Sequence, residues 1–299
     1  HDGFVIGFYR RGSHFVVDVE QCPVASAGVN RILTLLRREL PRLCEPHRIP
    51  QVDVSEGDDG ALRIVVHYIG RKRERIADEL AALAQETGAA VFMQSGRKAT
   101  LRRIAGDEDL VVIPRLNPQT TLRYGPGGFA QVNLAQNRAL VEAVTEAASL
   151  TGKERLLDLF CGMGNFSLPL AARARRVVGI EDYPSSIASA RSNARENTVD
   201  NADFHARPAE GALAEFSAEE PFDTVVLDPP RSGAYAVARE IAEVKPQQVI
   251  YISCDPPTLG RDINLLLHNG YRLVHSQAFD LFPQTHHIES VSLLKKISE

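Results

Sequence analysis

A cysteine stands at the end of an apolar run, where its thiol could act as a nucleophile. Cys254 follows residues 248–252, whose sequence Gln-Val-Ile-Tyr-Ile predicts a buried parallel strand. The carboxyl ends of such strands face the ligand crevice of an open α/β sheet, so a thiol there can reach a bound substrate. Because a lone cysteine is more often a small core residue, the interpretation depends on the polar residues elsewhere in the chain.

Residues 155–166 predict a strand, a glycine turn and the start of a helix. Gly162 and Gly164 let the backbone of that turn pass close to a ligand, and free amides at a helix start can donate to it. The third glycine of a dinucleotide-binding turn is missing, since Ser167 follows Phe166. The pattern therefore favours an adenosine ligand without a pyrophosphate.

Two acidic residues follow later predicted strands. Glu181 comes directly after residues 176–180, where a carboxylate can accept hydrogen bonds from ribose hydroxyl groups. Asp228 follows residues 223–227 and precedes Pro229 and Pro230, which fix a stiff, exposed turn beside the carboxylate. Both acids are thus expected at the edge of the sheet that carries Cys254.

These motifs, in this order, resemble the S-adenosylmethionine-dependent RNA uracil-5-methyltransferases. The likeness covers most of the chain and is densest over residues 128–294, where Phe129 begins a Phe-Ala-Gln-Val-Asn stretch similar to the entry of that family's catalytic domain. The resemblance implies that Cys254 is the nucleophile and Glu289 the base. It also implies that five residues contact S-adenosylmethionine: Gln131, Phe160, Asn165, Glu181 and Asp228.

The chemistry explains why such residues are needed. Carbon 5 of uracil is a poor nucleophile, and addition of a thiolate to carbon 6 creates an enolate whose carbon 5 can attack a methyl group. The methylated adduct must then lose a proton from carbon 5, which requires a positioned base. An exposed uridine is implied, because a stacked base hides carbon 6. The motifs leave open whether the RNA is transfer or ribosomal.

Two positions depart from the family pattern. Asp255 follows the nucleophile where the family usually has asparagine, and a nearby carboxylate disfavours a thiolate. Either Asp255 points away, or a cation such as Arg261 offsets its charge; an ion pair on the helix surface is the alternative for Arg261. Pro208, after Arg207, stands where the family offers a polar contact to adenine, and proline has no backbone donor.

Neither the histidines nor the cysteines show the spacing of a metal site. No cysteine or carboxylate cluster surrounds His286 and His287, so we interpret them as substrate-side or structural and expect no metal ion. Some relatives carry an iron–sulfur cluster, but the cysteines nearest the N-terminus stand too far apart for one. The spacing of all four also argues against a disulfide framework and favours a reducing, cytoplasmic setting: Cys22, Cys44, Cys161 and Cys254.

Composition favours a globular enzyme of two domains. The 299 residues include 44% hydrophobic residues, enough for sizeable cores. No apolar run reaches the length of a membrane span, and no charged-then-apolar leader is present, so we expect no membrane association. The net charge is −4, although residues 1–124 are mildly basic, with 18 Lys and Arg against 16 Asp and Glu.

Local basic clusters in the N-terminal part predict contact with RNA. Arginine and lysine neutralise phosphates, and aromatic side chains stack on splayed bases. Solvated loop charge is the alternative for each cluster. The clusters and the aromatic residues interleaved with them are Arg10-Arg11, Arg71-Lys72-Arg73 with Arg75, Arg97-Lys98, Arg102-Arg103, Phe8, Tyr9 and Phe15.

The element pattern predicts two domains. Residues 1–124 predict an α+β RNA-binding domain: a hairpin of residues 4–9 and 14–19, a helix over 27–40, and an antiparallel sheet with helices on one face. Residues 113–129, rich in proline and glycine, predict a linker. Residues 125–299 predict the catalytic domain, a doubly wound, mostly parallel Rossmann-like sheet that ends in an antiparallel pair, 272–279 and 287–294.

Two other functions remain open. An amino-methyltransferase would alkylate an exocyclic nitrogen from an Asp-Pro-Pro-aromatic site, but Arg231 replaces the aromatic residue here and Cys254 would be dispensable. A non-catalytic RNA-binding module with the same fold would keep its effect without cofactor. Methyl transfer to uracil is the interpretation that uses all the motifs.

Overall fold

The computed structural model describes residues 3–10, 12–96, 100–107, 109–285 and 287–297. Four basic residues singled out above therefore lie outside the described residues: Arg11, Arg97, Lys98 and His286. The chain divides into two compact units, His1–Val111 with Gly125–Gly127, and Val112–Tyr124 with Gly128–Glu299. The predicted boundary at residue 124 differs from this division chiefly by residues 112–124, which belong to the second unit.

The first unit contains a four-stranded sheet and a separate hairpin. The sheet order is β3-β4-β5-β6, and helix α2 connects β4 to β5 so that these two strands run parallel. The prediction of an entirely antiparallel sheet was therefore wrong, because a helical crossover between neighbouring strands sets them parallel. The elements are β1 (Gly7–Tyr9), β2 (Val16–Asp18), α1 (Ala27–Glu39), β3 (Gln51–Glu56), β4 (Leu62–His67), α2 (Arg73–Thr87), β5 (Ala90–Gln94) and β6 (Arg102–Ala105).

Local signals define the two helices of the first unit. Ser26 caps α1 by accepting from the Val29 amide, and the spacing of Ile32 and Leu36 turns one apolar stripe of α1 into the core. Helix α2 ends at Gly88, which adopts a left-handed conformation with φ of 67°. The predicted helix and strand positions in this unit are confirmed to within a few residues.

Residues 110–124 form a hairpin in place of the predicted linker. Strands β7 (Leu110–Leu116) and β8 (Gln119–Tyr124) pair with each other. The backbone amides of Thr121 and Arg123 donate to the side chains of Asn197 and Asn193, at 2.9 and 2.8 Å. The prolines in this segment led us to predict a linker. A two-stranded ribbon consists of edge strands, and edge strands tolerate proline.

The second unit is a seven-stranded sheet with the order β11-β10-β9-β12-β13-β15-β14. Strands β9 to β13 are parallel, and β15 runs antiparallel to both of its neighbours. The predicted fold class is confirmed. After α3 (Leu134–Ala148) the elements are β9 (Arg155–Leu159), α4 (Ser167–Ala171), β10 (Arg176–Glu181), α5 (Pro184–Glu196), β11 (Ala202–Ala206), α6 (Ala212–Glu219), β12 (Thr224–Leu227), α7 (Tyr235–Val244), β13 (Gln248–Ser253), α8 (Pro256–His268), β14 (Tyr271–Phe279) and β15 (Glu289–Lys296).

Alternating residues of β9 pack into two separate hydrophobic cores. Leu157 and Leu159 of β9 pack with α6, α7 and α8, whereas Leu156 packs with α3 and α4 on the opposite face. Successive side chains of a strand point to opposite faces, so a strand apolar at every position is buried on both sides. The sheet is therefore covered on two faces, and the strand ends remain the accessible edge.

Within the described part of the chain, no helix is both long and apolar enough to cross a membrane.

Candidate active site

Cys254 is the first residue after β13 and lies half-buried at the carboxyl end of that strand. Helix α8 begins two residues later, at Pro256. Ser253 fixes the intervening turn, because its hydroxyl group accepts from the Asp255 amide and donates to the Asp255 carbonyl, both at 3.1 Å. The thiol is thus held at the edge of the sheet that the sequence predicts for it.

Glu289 begins the strand that pairs with β13. Strands β13 and β15 are antiparallel with Ser253 opposite Ser290, so Cys254 follows one member of this pair and Glu289 precedes the other. The charge of Glu289 acts on the Cys254 thiol. The Glu289 side chain is buried, at 5% exposed, and its Oε1 atom has no hydrogen-bond partner among the residues described. Burial, reinforced by the charge of Asp228, raises the pKa of Glu289 to about 8. The structure therefore brings the predicted nucleophile and the predicted base together.

Asp228 joins this pair from the neighbouring strand. It follows β12, which is parallel to β13, and its amide donates to the Leu159 carbonyl at 3.3 Å. Burial raises the pKa of Asp228 to about 7. The pKa of Cys254 is also raised, first by burial and then by the charges of Glu289 and Asp228. Burial and mutual repulsion thus favour the protonated form of all three groups.

Arg231 supplies positive charge to the same cluster. Its charge lowers the pKa of Cys254, against the effect of burial. Its Nη2 atom lies 3.2 Å from Nδ1 of His287, two residues before Glu289. A guanidinium group only donates, so the ring nitrogen of His287 accepts in this contact. The Arg231–His287 contact joins the loop after β12 to the segment that enters β15.

The Asp255 side chain caps the N-terminus of α8. As the N-cap of α8 it accepts from the Thr258 amide and the Thr258 hydroxyl group, both at 3.0 Å, and these bonds lower the pKa of Asp255. Arg261 pairs with Asp262 at 2.7 Å. The first of the alternatives for Asp255 is therefore the one observed: capping directs its carboxylate to the helix, and asparagine and aspartate both serve there.

The turn after β9 forms a cradle of the kind that an adenosine ligand needs. Phe160 has φ of +65°, Gly162 of +55° and Gly164 of +97°. Non-glycine residues with positive φ are strained and concentrate at functional sites. A side chain at Gly164 would be strained by the positive φ, and its Cβ would lie 3.1 Å from Cγ of Leu168, a tight contact. Helix α4 begins only at Ser167 and has five residues, so the turn rather than a helix end presents the backbone.

Glu181 connects this turn to the end of β10. Its Oε2 atom accepts from the Gly162 amide at 3.3 Å and its Oε1 atom from the Tyr183 amide at 2.9 Å. Each carboxylate oxygen can accept a second bond, so Glu181 retains the capacity to bind ribose hydroxyl groups. At Arg207 the backbone amide donates to the Glu181 carbonyl, and the guanidinium group pairs with Glu215 at 2.6 and 2.7 Å. These residues fit an adenosine ligand.

The remaining predicted cofactor residues lie on the other side of the turn. Asn165 exchanges two hydrogen bonds with Asn137 of α3, at 2.9 and 3.0 Å, which fixes its amide. Gln131 is half-exposed and lies two residues before Asn133, the N-cap of α3. Asn133 donates to the Leu281 carbonyl at 3.3 Å and thereby attaches this segment to the chain that leads into β15. Their contact with a cofactor stays a prediction.

Asp158 belongs to the cluster and was not predicted as a site residue. It is fully buried in β9, its Oδ2 atom accepts from the Ser167 hydroxyl group, and its Oδ1 atom has no partner among the residues described. Burial, against the Ser167 hydrogen bond and with the charge of Asp228, raises the pKa of Asp158 to about 7. The available signal was an acidic residue inside an otherwise apolar strand. Among the described residues, no group of three or more His, Cys, Asp and Glu could hold a metal ion.

Curated relatives of the chain are RNA methyltransferases. The 23S rRNA (uracil(1939)-C(5))-methyltransferase of Alkalilimnicola ehrlichii is 38% identical, and the match covers 98% of this chain and 66% of that protein. The enzyme of the same name from Aeromonas hydrophila is 36% identical, with 97% and 65% covered. The chain thus spans just under two thirds of the length of these relatives.

Solved structures resemble the fold. The Pyrococcus abyssi tRNA (uracil-54, C5)-methyltransferase, in complex with S-adenosyl-L-homocysteine, matches with a TM-score of 0.74 and 25% identity over 96% of this chain and 72% of that one. Methanocaldococcus jannaschii Trm5 has a TM-score of 0.53 and 14% identity, over 89% and 78%, a likeness of fold alone. Residues 2–297 match the family described as tRNA (uracil-5-)-methyltransferase, which confirms the resemblance seen in the motifs, and the chain belongs to that family.

Proposed function

We propose that the protein transfers a methyl group from S-adenosylmethionine to carbon 5 of a uridine in structured RNA, with 23S ribosomal RNA as the substrate. The observation that carries the proposal is the pairing of Ser253 with Ser290, which places Cys254 and Glu289 next to one pair of the sheet, where the charges of Glu289, Asp228 and Arg231 act on the thiol. Family membership supports the reaction class, and the names of the curated relatives support ribosomal RNA. A cytoplasmic location follows from that substrate.

In this proposal Cys254 starts the reaction. Its thiol loses its proton to solvent, a bond forms between Sγ and carbon 6 of uracil, and the electron pair of the 5,6 double bond moves into the enolate of the ring. Arg231 favours the thiolate by its positive charge. S-adenosylmethionine supplies the methyl group that carbon 5 takes. Splitting the substitution in this way avoids direct attack by an unactivated carbon.

Glu289 completes the reaction. Its carboxylate accepts the proton from carbon 5, the electron pair restores the 5,6 double bond, and the carbon–sulfur bond breaks to release Cys254 as a thiolate. A pKa of about 8 makes Glu289 a stronger base than an exposed glutamate once it is ionised. The same value requires that Glu289 lose its own proton before this step.

The cofactor is assigned to the turn after β9 and the neighbouring strand ends. Glu181 would accept hydrogen bonds from ribose hydroxyl groups, and Phe160 and Asn165 would line the turn. Gln131 and Asp228 would bind at the end nearest Cys254. Support comes from the constrained turn and from the acceptor capacity that Glu181 retains.

Labelling of RNA tests the proposal. The protein is incubated with total RNA from cells that lack it and with S-adenosylmethionine carrying a labelled methyl group, and the nucleosides are analysed by mass spectrometry. Label in 5-methyluridine of the large ribosomal RNA is expected, and Cys254→Ala is the control. Label in a methylated amino nucleoside would favour the amino-methyltransferase. No label despite cofactor binding would favour the non-catalytic module.

A further inference from the structure

The hairpin of β1 and β2 presents one apolar face to solvent. Phe8 pairs with Val17 in the antiparallel register, and the Arg10 amide donates to the Phe15 carbonyl at 2.8 Å, which extends the same register. Residues directly opposite each other share a face, and so do residues two apart along a strand. Phe8, Arg10, Phe15 and Val17 therefore lie together on one side, which we call the hairpin face.

The opposite side of the hairpin is attached to its own unit. Asp18 accepts from Nη2 of Arg37 in α1 at 2.8 Å, and Nη1 of Arg37 donates to the Ile6 and Val19 carbonyls at 3.3 and 3.1 Å. Asp18 shares its side with Tyr9, because the two alternate with Phe8 and Val17 along their strands. Helix α1 thus fixes the orientation of the hairpin and directs the hairpin face away from its anchor.

The hairpin face is unusually apolar for an exposed surface. Phe8 is 60% exposed, Phe15 50% and Val17 45%. A contiguous apolar patch on a protein surface commonly marks an interaction site. Phe8 in β1 and Phe15 next to β2 provide two aromatic rings on this side, and Arg10 lies on the same side.

Charge indicates which partner fits. Asp18 is the only acidic residue in the sequence from Gly7 to Asp18, and it lies on the opposite side, neutralised by Arg37. The hairpin face therefore combines aromatic rings and positive charge without an acidic side chain. Aromatic rings stack on unpaired bases and arginine contacts phosphate, the combination that holds single-stranded RNA.

We propose that the hairpin face binds an unpaired segment of the RNA substrate, with bases stacked on Phe8 and Phe15 and a phosphate contacted by Arg10. The proposal rests on the proposed function for the identity of the RNA. It adds a binding surface remote in sequence from the catalytic residues, and it gives the first unit a defined role in holding substrate.

Binding of a short fluorescently labelled oligouridine tests this surface in the full chain. The double variant Phe8→Ala/Phe15→Ala should weaken binding by at least about tenfold, since each lost stacking contact has an effect of that order. Tyr9→Ala is the matched control: it removes an aromatic ring that is 63% exposed on the opposite side of the same hairpin. The control should bind like the unmodified protein.

The salt dependence tests the phosphate contact separately. Arg10→Ala should reduce the slope of log Kd against log salt concentration by about 0.7, the value for one phosphate contact on a single strand, and Arg10→Lys should restore it. Equal affinity of the double variant and Tyr9→Ala, or an unchanged slope, would overturn the proposal and leave the face to a protein partner.

Methyl transfer to total RNA by the unmodified protein separates the two proposals. If it occurs and the double variant shows an unchanged KM for RNA, the hairpin inference fails while the proposed function stands. If it does not occur but the hairpin variants lose oligouridine binding, the inference stands as an RNA contact and the proposed function fails.

Discussion

The reactivity of the site is set by buried acids that favour their protonated forms. Asp158, Asp228 and Glu289 are acidic side chains whose pKa values are raised to about 7, 7 and 8, in each case mainly by burial. A carboxyl group in such a place donates as an acid and, once ionised, accepts protons strongly. Burial and the charges of Glu289 and Asp228 also raise the pKa of Cys254, and the positive charge of Arg231 opposes them.

Replacement of Glu289 should trap the covalent intermediate. Glu289→Gln keeps the shape of the side chain but removes the base, so methyl transfer proceeds and the adduct cannot lose its carbon 5 proton. Turnover should fall by about 10²- to 10⁴-fold, the usual effect of losing a positioned base. Denaturing gel electrophoresis with labelled RNA should show a complex that survives denaturation.

The double variant Cys254→Ala/Glu289→Gln is the control for this experiment, since it has no thiol and should form no adduct. Cys254→Ala alone should abolish turnover and retain cofactor binding. Normal product release by Glu289→Gln would assign the proton to another base.

The pKa of Glu289 also predicts how stability depends on pH. The folded pKa of about 8 lies above the ordinary value of 4.5, so between these pH values the folded protein holds a proton that the unfolded chain has released. The free energy of unfolding should therefore fall as pH rises through this range. Glu289→Gln removes this titration and should be more stable than the unmodified protein at about pH 8, by at least about 1 kcal/mol.

Urea unfolding at several pH values measures this difference, which should shrink towards about pH 5, where Glu289 is protonated in the folded protein. Glu210→Gln replaces an exposed acid and should parallel the unmodified protein. Parallel curves for Glu289→Gln would show that Glu289 keeps an ordinary pKa in the folded state.

Residue types and order were enough to predict that Cys254, Asp228 and Glu289 lie near one another, because parallel strand ends share one edge of a sheet. The pairing of Ser253 with Ser290 then places Cys254 and Glu289 beside the same pair. The raised pKa of Asp158 could not be predicted from the sequence. It results from burial, and burial depends on which elements cover β9. The capping role of Asp255 could have been predicted from the sequence, because an aspartate before a proline such as Pro256 is a common helix start.

At the scale of elements, α8 holds the loop after β12. Asp262 is fully buried and accepts from the Tyr251 hydroxyl group at 2.7 Å, from the Ala234 amide at 2.8 Å and from Nε of Arg261 at 2.7 Å. Thr258 donates to the Arg231 carbonyl at 3.2 Å. The helix that begins beside Cys254 therefore also positions Arg231, so the nucleophile and its cation are held by one element.

Loss of Asp262 should disturb both stability and the thiol. Asp262→Ala leaves the Tyr251 hydroxyl group without its buried acceptor and the Ala234 amide with only the Tyr251 oxygen, at 3.1 Å, which should cost about 3 kcal/mol of unfolding free energy. With the loop released, Arg231 should support the Cys254 thiolate less, and alkylation of Cys254, followed by mass spectrometry, should slow at a given pH.

Asn264→Ala, an exposed position on the same helix, should change neither quantity. Asp262→Asn should recover part of the stability, because its amide oxygen still accepts. An Asp262→Ala variant with the stability and alkylation rate of the unmodified protein would show that the loop is held by other contacts.

Elements with a strong pattern were predicted, and those set by tertiary contacts were not. The inner strands β12 and β13 are apolar at most positions, which is typical of a parallel sheet covered on both faces. The hairpin of β7 and β8 was missed because its attachment lies far away in sequence. Asn193 of α5 accepts from the Arg123 amide and donates to the Met163 carbonyl at 3.1 Å, a bond that no local pattern shows.

At the scale of the whole molecule, the boundary between the two units in the sequence lies near the start of the hairpin of β7 and β8. Leu122 of β8 is fully buried, Val112 of β7 nearly so, and Arg115 of β7 donates to the Pro169 carbonyl of α4 at 3.1 Å. The hairpin therefore packs against the second unit, to which its residues 112–124 belong. The N-terminal unit keeps residues 1–111, where the hairpin face lies.

Truncation at the two boundaries should give different proteins. A chain that begins at Val112 keeps the hairpin on α5 and should unfold cooperatively and bind S-adenosylmethionine. A chain that begins at Gly125 exposes the surface that the hairpin covers and leaves Asn193 and Asn197 without the backbone partners that they have in β8. Its unfolding free energy should be lower by at least about 3 kcal/mol, because apolar burial and several hydrogen bonds are lost together.

Urea unfolding and calorimetric titration with the cofactor measure the stability and the cofactor affinity of the two truncated chains. Equal stability and affinity of the two chains would move the boundary back to residue 124, and failure of both to fold would show that the catalytic unit requires residues 1–111.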